Sequence, residues 1–268
     1  MHDNLYKIKH ELWLKVAFAS FAIADERIKS KLYEFSLIEF RHMKWLGEAL
    51  LREGGDYDYG RDMTLYKQER VFAVLEALKK DIEAAAEHYD TSVLCERMRS
   101  DEAYLLHYID TLLCGGADDA PVTAFDMRRE WDDLDQEQID ALTLFLFEES
   151  YKEYELILVY AYMQARTKRL REYDVFQDLI DESHFHLKSF CNMMSRLGIL
   201  ALPRELHERT YKITDLKQFI EDGIEEEIAA KEMCKELSES IKEEKLSKFF
   251  DFINYQESYH IELMKRLL

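Results

Sequence analysis

Three acid-x-x-histidine steps stand out in the chain: Glu39 to His42, Asp181 to His184, and Glu257 to His260. With 55 acidic residues and nine histidines, chance alone supplies about two such steps, so their placement carries more than their number. Glu11 precedes Glu39 by the same interval at which Glu153 precedes Asp181. Glu226 and Glu227 precede Glu257 by a slightly longer one. A fourth stretch has Glu76, then Tyr104 at the interval of the first two, then His107, so the histidine keeps its place while tyrosine replaces the acid. Residues three apart share one helix face, so each step presents a carboxylate and an imidazole together. That donor set suits iron or manganese; a structural zinc site would usually recruit thiolates. Most of these acids stand among apolar neighbours, as in Leu37-Ile38-Glu39-Phe40 and Leu179-Ile180-Asp181. A buried, unpaired carboxylate is costly or becomes protonated, and two divalent cations would compensate several at once. The same residues also fit solvated helix edges carrying ordinary histidines. Nearby Tyr154, Tyr160 and Tyr162 are candidates for passing electrons, or simply core aromatics.

The elements that must position these groups follow from the scarcity of breakers. The 268 residues hold two prolines and eight glycines, too few for the turns of a sandwich, barrel or propeller. Good helix formers dominate, and the fold class is all-α. The glycines and prolines cluster near Gly54–Gly60, Gly115–Pro121 and Gly198–Pro203; Gly47 and Gly223 lie inside helical patterns. Four blocks result, at about 3–53, 63–114, 134–197 and 213–267. Each is too long for one helix of a compact domain and carries a charged stretch near its middle: Asp25–Lys31, His88–Asp90, Arg166–Arg171 and Lys242–Lys245. Each therefore reads as a helical hairpin, with a stripe such as Leu12, Val16, Ala19 and Ile23 facing inward. The third block has a long first arm and is expected to begin with an additional short helix. Four hairpins make two four-helix bundles in tandem: residues 1–118, a linker 119–133 that packs through Phe125 and Trp131, and residues 134–268. Blocks one and three align without a gap, Leu37–His42 on Leu179–His184. Residues equidistant from a hairpin turn face each other, which pairs Glu11 with Glu39 about Asp25, Glu153 with Asp181 about Thr167, and Glu227 with Glu257 about Lys242.

Charge and cysteines narrow the setting. The formal charge is −19, which repels phosphate backbones and anionic membrane surfaces, so neither nucleic acid nor membrane is expected as a partner. The basic run Arg166–Arg171 reads as a charged helix-helix turn. The four cysteines are scattered and form no Cys-x-x-Cys, which excludes a zinc ribbon or rubredoxin-type site and points to a reducing compartment, the cytoplasm. Leu12–Ala24 is apolar and ends like a cleavage site, yet Lys15 interrupts it and Asp3 and Glu11 stand where a basic region belongs. It is expected to be a helix of the folded protein. No apolar run approaches the ~18 residues of a membrane span.

On these residues the chain resembles the ferritin-like superfamily of di-iron carboxylate proteins, its rubrerythrin-type and bacterioferritin-type domains most of all. Such domains place a Glu on each of two helices and a Glu-x-x-His on each of the other two. The most typical stretch is Gly223–Leu267, GIEEEIAAKEMCKELSESIKEEKLSKFFDFINYQESYHIELMKRL. The resemblance covers residues 134–268 well and 1–114 more loosely, as a partly degenerate copy. It implies that Glu153 and Glu227 (or Glu226) are single-helix ligands, Asp181 and Glu257 bridging carboxylates, and His184 and His260 one ligand to each metal. Asp181 is a methylene shorter than the usual Glu, and Glu182 with His186 offers a competing pair on the same helix. In the first copy Glu11, Glu39 and His42 make a half-site, with Glu76 and His107 opposite and Tyr104 in place of the fourth acid. The implied cofactor is two iron ions, or manganese, and the implied activity an oxidoreductase reacting with peroxide or dioxygen. Without a rubredoxin module, a separate electron donor is required. Oxygenation of an organic substrate, iron handling, and a metal-free helical scaffold are the alternatives, and a homodimer is the expected assembly.

Overall fold

The computed structural model describes residues 2–60, 68–123, 134–200 and 205–268. Among them every regular element is helical, and the chain divides into two compact units: residues 1–128 with 198–205, and residues 129–197 with 206–268. Phe125 and Trp131 lie outside the described residues.

In the first unit, α1 (His2–Ala22) and α2 (Glu26–Arg52) form one hairpin, and α3 (Val71–Ala86) and α4 (Val93–Thr111) the other. The α1–α2 break is only residues 23–25, because Asp25 caps α2 by accepting from the amides of Arg27 and Ile28. Ser92 caps α4 in the same manner. Helix α1 packs on α2 and α3, and α4 on α2 and α3. The stripe expected from the sequence, Leu12, Val16, Ala19 and Ile23, lies in the core with Leu32, Phe35, Leu75, Leu78, Leu105 and Ile109. Fully burying each such side chain is worth about 1.5–3 kcal/mol. The apolar segment 12–24 is thus the buried second half of α1 and the turn after it. A π-helical turn, Leu112–Gly116, ends the second hairpin, with Gly115 at φ 110°. Residues 119–123 then lie on this unit. Val71 and Ala120 share a backbone hydrogen bond, as do Val122 and Glu69, and the buried Thr123 hydroxyl donates to the carbonyls of Phe21 and Ala22.

The second unit is built from α5 (Gln136–Gln164) with α6 (Leu170–Arg196), and α8 (Leu216–Ser240) with α9 (Glu244–Lys265); the short α7 (Glu208–Tyr211) packs on α5. Helix α6 packs on α9, and α5 on α8. The additional short helix expected at the start of block three is absent. Asp135 and Gln138 form a capping box, and nothing interrupts the helix for its 29 residues. The short helix instead opens the stretch before α8. No helix among the described residues is long and apolar enough to cross a membrane.

Gly47 shows why one glycine stands inside a helix. A Cβ there would meet the Tyr57 ring at 2.9 Å and the Tyr6 ring at 3.2 Å. Both rings are buried and lie 4.6 Å apart between centroids, so neither can give way freely. Gly47→Ala is expected to lower stability by about 1–2 kcal/mol in urea unfolding, overpacking outweighing the ~1 kcal/mol gain in helix propensity.

Candidate metal centre

The second unit directs one group of titratable side chains into its core from four helices. Helix α5 supplies Glu153, α6 His186, α8 Glu227, and α9 both Glu257 and His260. Each lies on its helix's inward stripe and is at most 5% exposed. His186 Nδ1 is 2.9 Å from Glu153 and 3.4 Å from Glu257. His260 Nδ1 is 3.1 Å from Glu257 and 4.0 Å from Glu227, and the two imidazole rings are 4.9 Å apart. Candidate ligand atoms within 4.8 Å of one another occur in three overlapping sets: Glu153, His186 and Glu257; Glu227, Glu257 and His260; and Glu182, His186 and His260. Glu257 belongs to two of these sets and so links α5 and α6 to α8.

The surroundings orient these groups. The far nitrogen of His186, Nε2, lies 3.3 Å from Gln256 Oε1, and Gln256 Nε2 donates to Glu182 at 3.2 Å. With Nε2–H donating, Nδ1 faces the carboxylates, the arrangement by which a neighbouring group fixes a ligating histidine. Burial alone would lower the His186 pKa, but Glu153, then Glu257 and Glu227, outweigh it and raise it to about 9. Burial pushes Glu153 upward, and His186 more than reverses this, leaving it below the usual value. Burial and then Glu257 push Glu227 well above the carboxylate range, and burial raises Glu257 against the pull of His186. Burial holds His260 below its ordinary value. Burial also raises neighbouring Glu149 to about 7, against the pull of Lys152. Among these groups, protons thus stand where positive charge is needed. Glu153 Oε2, Glu257 Oε2 and His260 Nε2 are buried and make no hydrogen bond. Three buried carboxylates, two imidazoles and half-buried Glu182, with those three ligand atoms unused in hydrogen bonds, fit two divalent cations in charge and ligand type.

Of the six residues expected at this centre, the fold brings together Glu153, Glu227, Glu257 and His260. Glu227 faces inward, whereas its alternative Glu226 is exposed and pairs with Lys152 at 3.4 Å. Asp181 and His184 require correction. Asp181 is exposed and accepts from Gln177 at 2.9 Å; His184 is buried but belongs to none of the ligand sets. Their places are taken by Glu182 and His186, the competing pair. The physical reason is register. Laying α2 on α6 with Glu39 over Ser183 puts ten of its thirteen buried positions on buried positions of α6, whereas the gap-free alignment, Glu39 over Asp181, matches two. A two-position slip turns a helix face by about 200°, from core to solvent.

The correct register pairs Lys9 with Glu153, Glu39 with Ser183, and His42 with His186, and so identifies what occupies the first unit. Lys9, with no exposure at all, reaches Glu39 at 2.7 Å and Glu102 in direct contact. Tyr89 donates to Glu102, His42 Nδ1 is 3.3 Å from Glu39, and His42 Nε2 is 2.9 Å from Asp101. Burial pushes Glu39 upward, but Lys9 and then His42 hold its carboxyl below the usual range. Glu39 and His42 are therefore buried together as expected, while the rest of the expected half-sites is not with them. Glu11 lines an open groove between α1 and α3 beside Lys15, Asp81 and His88. Glu76, His107 and Tyr104 are exposed, the Tyr104 ring against Phe35. Lys9, Glu102 and Tyr89 escaped sequence reading because a buried lysine leaves no acid-histidine spacing to find.

No protein-family model, no curated protein and no solved structure matches this chain.

Proposed function

We propose that the chain is a tandem of two ferritin-like four-helix bundles whose C-terminal bundle holds a dinuclear iron or manganese centre reacting with peroxide or dioxygen. The observation that carries the reading is the convergence of Glu153, His186, Glu227, Glu257 and His260 from four helices, all buried, with Glu153 Oε2 and His260 Nε2 unpartnered. These five residues would hold the metals, with Glu182 at the edge; bound there, a redox-active pair supplies the electrons that reduce the oxidant. The chain's own part is to orient and to exclude water. Gln256 fixes the His186 ring, Glu257 would serve both metal positions, and the burial of all five residues keeps water out. A separate electron donor would be required to keep such a pair reduced, and the scattered free cysteines accord with a reducing cytoplasm.

The test is anaerobic reconstitution of the purified chain with ferrous iron, followed by metal analysis. Near two irons per chain, oxidised rapidly by peroxide, support the reading; rapid oxidation by dioxygen alone favours an oxygenase, and no retained metal sinks it. Because ligands must lose protons to bind metal, uptake is expected to release protons in weakly buffered solution near pH 7, chiefly from His186 and Glu227. Iron uptake with no pH change would contradict protonated His186 and Glu227.

A further inference from the structure

We propose that the N-terminal unit contains a latent divalent-cation site, formed by Glu39, His42 and Glu102, which Lys9 fills with its own ammonium. Ligand atoms of the three residues lie within 4.8 Å of one another, and all three are buried. Lys9 Nζ enters this group, 2.7 Å from Glu39 and in contact with Glu102. An ammonium has three donors and one positive charge and so meets the first needs of two carboxylates. It does not meet all of them. Glu102 Oε2 is buried and makes no hydrogen bond.

Two independent features mark the group as more than an ion triad. Asp101, itself held by Arg41 at 3.1 Å, lies 2.9 Å from His42 Nε2 and so turns Nδ1 toward Glu39. A carboxylate behind the far nitrogen of an inward-facing imidazole is how ligating histidines are oriented. The register that lays Glu39 on Ser183 then puts Lys9 at the position of Glu153, and His42 at that of His186. In that frame Lys9 stands where the second unit has Glu153, and Glu39 where it has Ser183, so removing the lysine's cation leaves two carboxylates and an imidazole able to take a free one. The native first unit is therefore metal-independent, and its charge balance is built into α1.

The test compares full-length parent, Lys9→Glu and Lys9→Gln by cobalt titration, read by visible absorption and by Co²⁺ bound per chain. Each variant is expected to bind one Co²⁺ more than the parent, and adding His42→Ala to remove that increment. Because the measurement is a difference from the parent, it reads the same whether the C-terminal unit binds two ions or none. Lys9→Gln keeps hydrogen-bonding reach without charge and stands in should Lys9→Glu not fold; folding of either only on cobalt addition also supports the proposal. Folded variants that bind no more cobalt than the parent overturn it. So does a parent that already loses bound cobalt on His42→Ala.

Discussion

Glu257→Ala is expected to abolish metal retention by the C-terminal unit, lowering iron per chain to background while helix content is unchanged. Glu257 belongs to two of the three ligand sets, so its loss would take a donor from both proposed metal positions at once. The remaining acids cannot close the gap, since Glu153 faces His186 on one side and Glu227 faces His260 on the other. Any stabilisation that parent protein gains from metal, about 2.7 kcal/mol at a hundredfold excess over Kd, disappears with it. Without metal the substitution removes a buried acid whose pKa is raised first by burial, so the variant is not expected to unfold. His186→Ala should repeat the loss of iron, whereas Asp181→Ala should leave it intact because Asp181 is exposed. Iron lost from the Asp181 variant and kept in the His186 variant would restore the register expected from sequence alone and remove the centre described here.

That pair of variants also marks where the sequence was legible. The four hairpins could be read from the rare glycines and prolines, because a helix of this length ends only where something ends it. The inward set on α8 and α9 could be read as well. Their break spans residues 241–243, centred on Lys242, so counting outward from it pairs Glu227 with Glu257 correctly. The first hairpin turns at residues 23–25, one position earlier than the charged stretch suggested. A centre misplaced by one position moves the partner by two, which replaces Lys9 by Glu11. In the third hairpin the shared Leu-Ile-acid motif misled, since Leu37 is 38% exposed and Leu179 is 1% exposed. The long apolar stripe Phe176, Leu179, Leu187, Phe190, set against Leu32, Phe35, Met43, Leu46, carries the true register, because burial constrains many positions where a motif constrains few. Glu102 and Tyr89 had no such signal. Their partner is a lysine, and its burial follows from tertiary packing alone.

Lys9→Met is expected to destabilise the N-terminal unit by about 3–5 kcal/mol at pH 7, because it leaves Glu39 and Glu102 buried without their cation. The methionine fills most of the lysine stem's volume, so the loss is electrostatic rather than a cavity. Its pH dependence follows from linkage. In the parent, the depressed Glu39 pKa contributes stability that is present above the unfolded value, about 4.3, and fades as pH falls through the folded one. In the variant the uncompensated acids titrate above that unfolded value, so stability declines as pH rises past it. The difference between parent and variant should therefore be large at pH 7 and shrink progressively as pH falls below about 4.3 toward the depressed Glu39 value. Neutralising the acids as well, in Lys9→Met with Glu39→Gln and Glu102→Gln, should recover most of the loss, since what is costly is a broken ion pair rather than an absent one. Hydrogen exchange of α1, α2 and α4 amides, with urea unfolding across pH, measures both effects. A Lys9→Met variant within about 1 kcal/mol of the parent at neutral pH would mean that water or protonation already compensates the two acids and that the ammonium does not hold this core together.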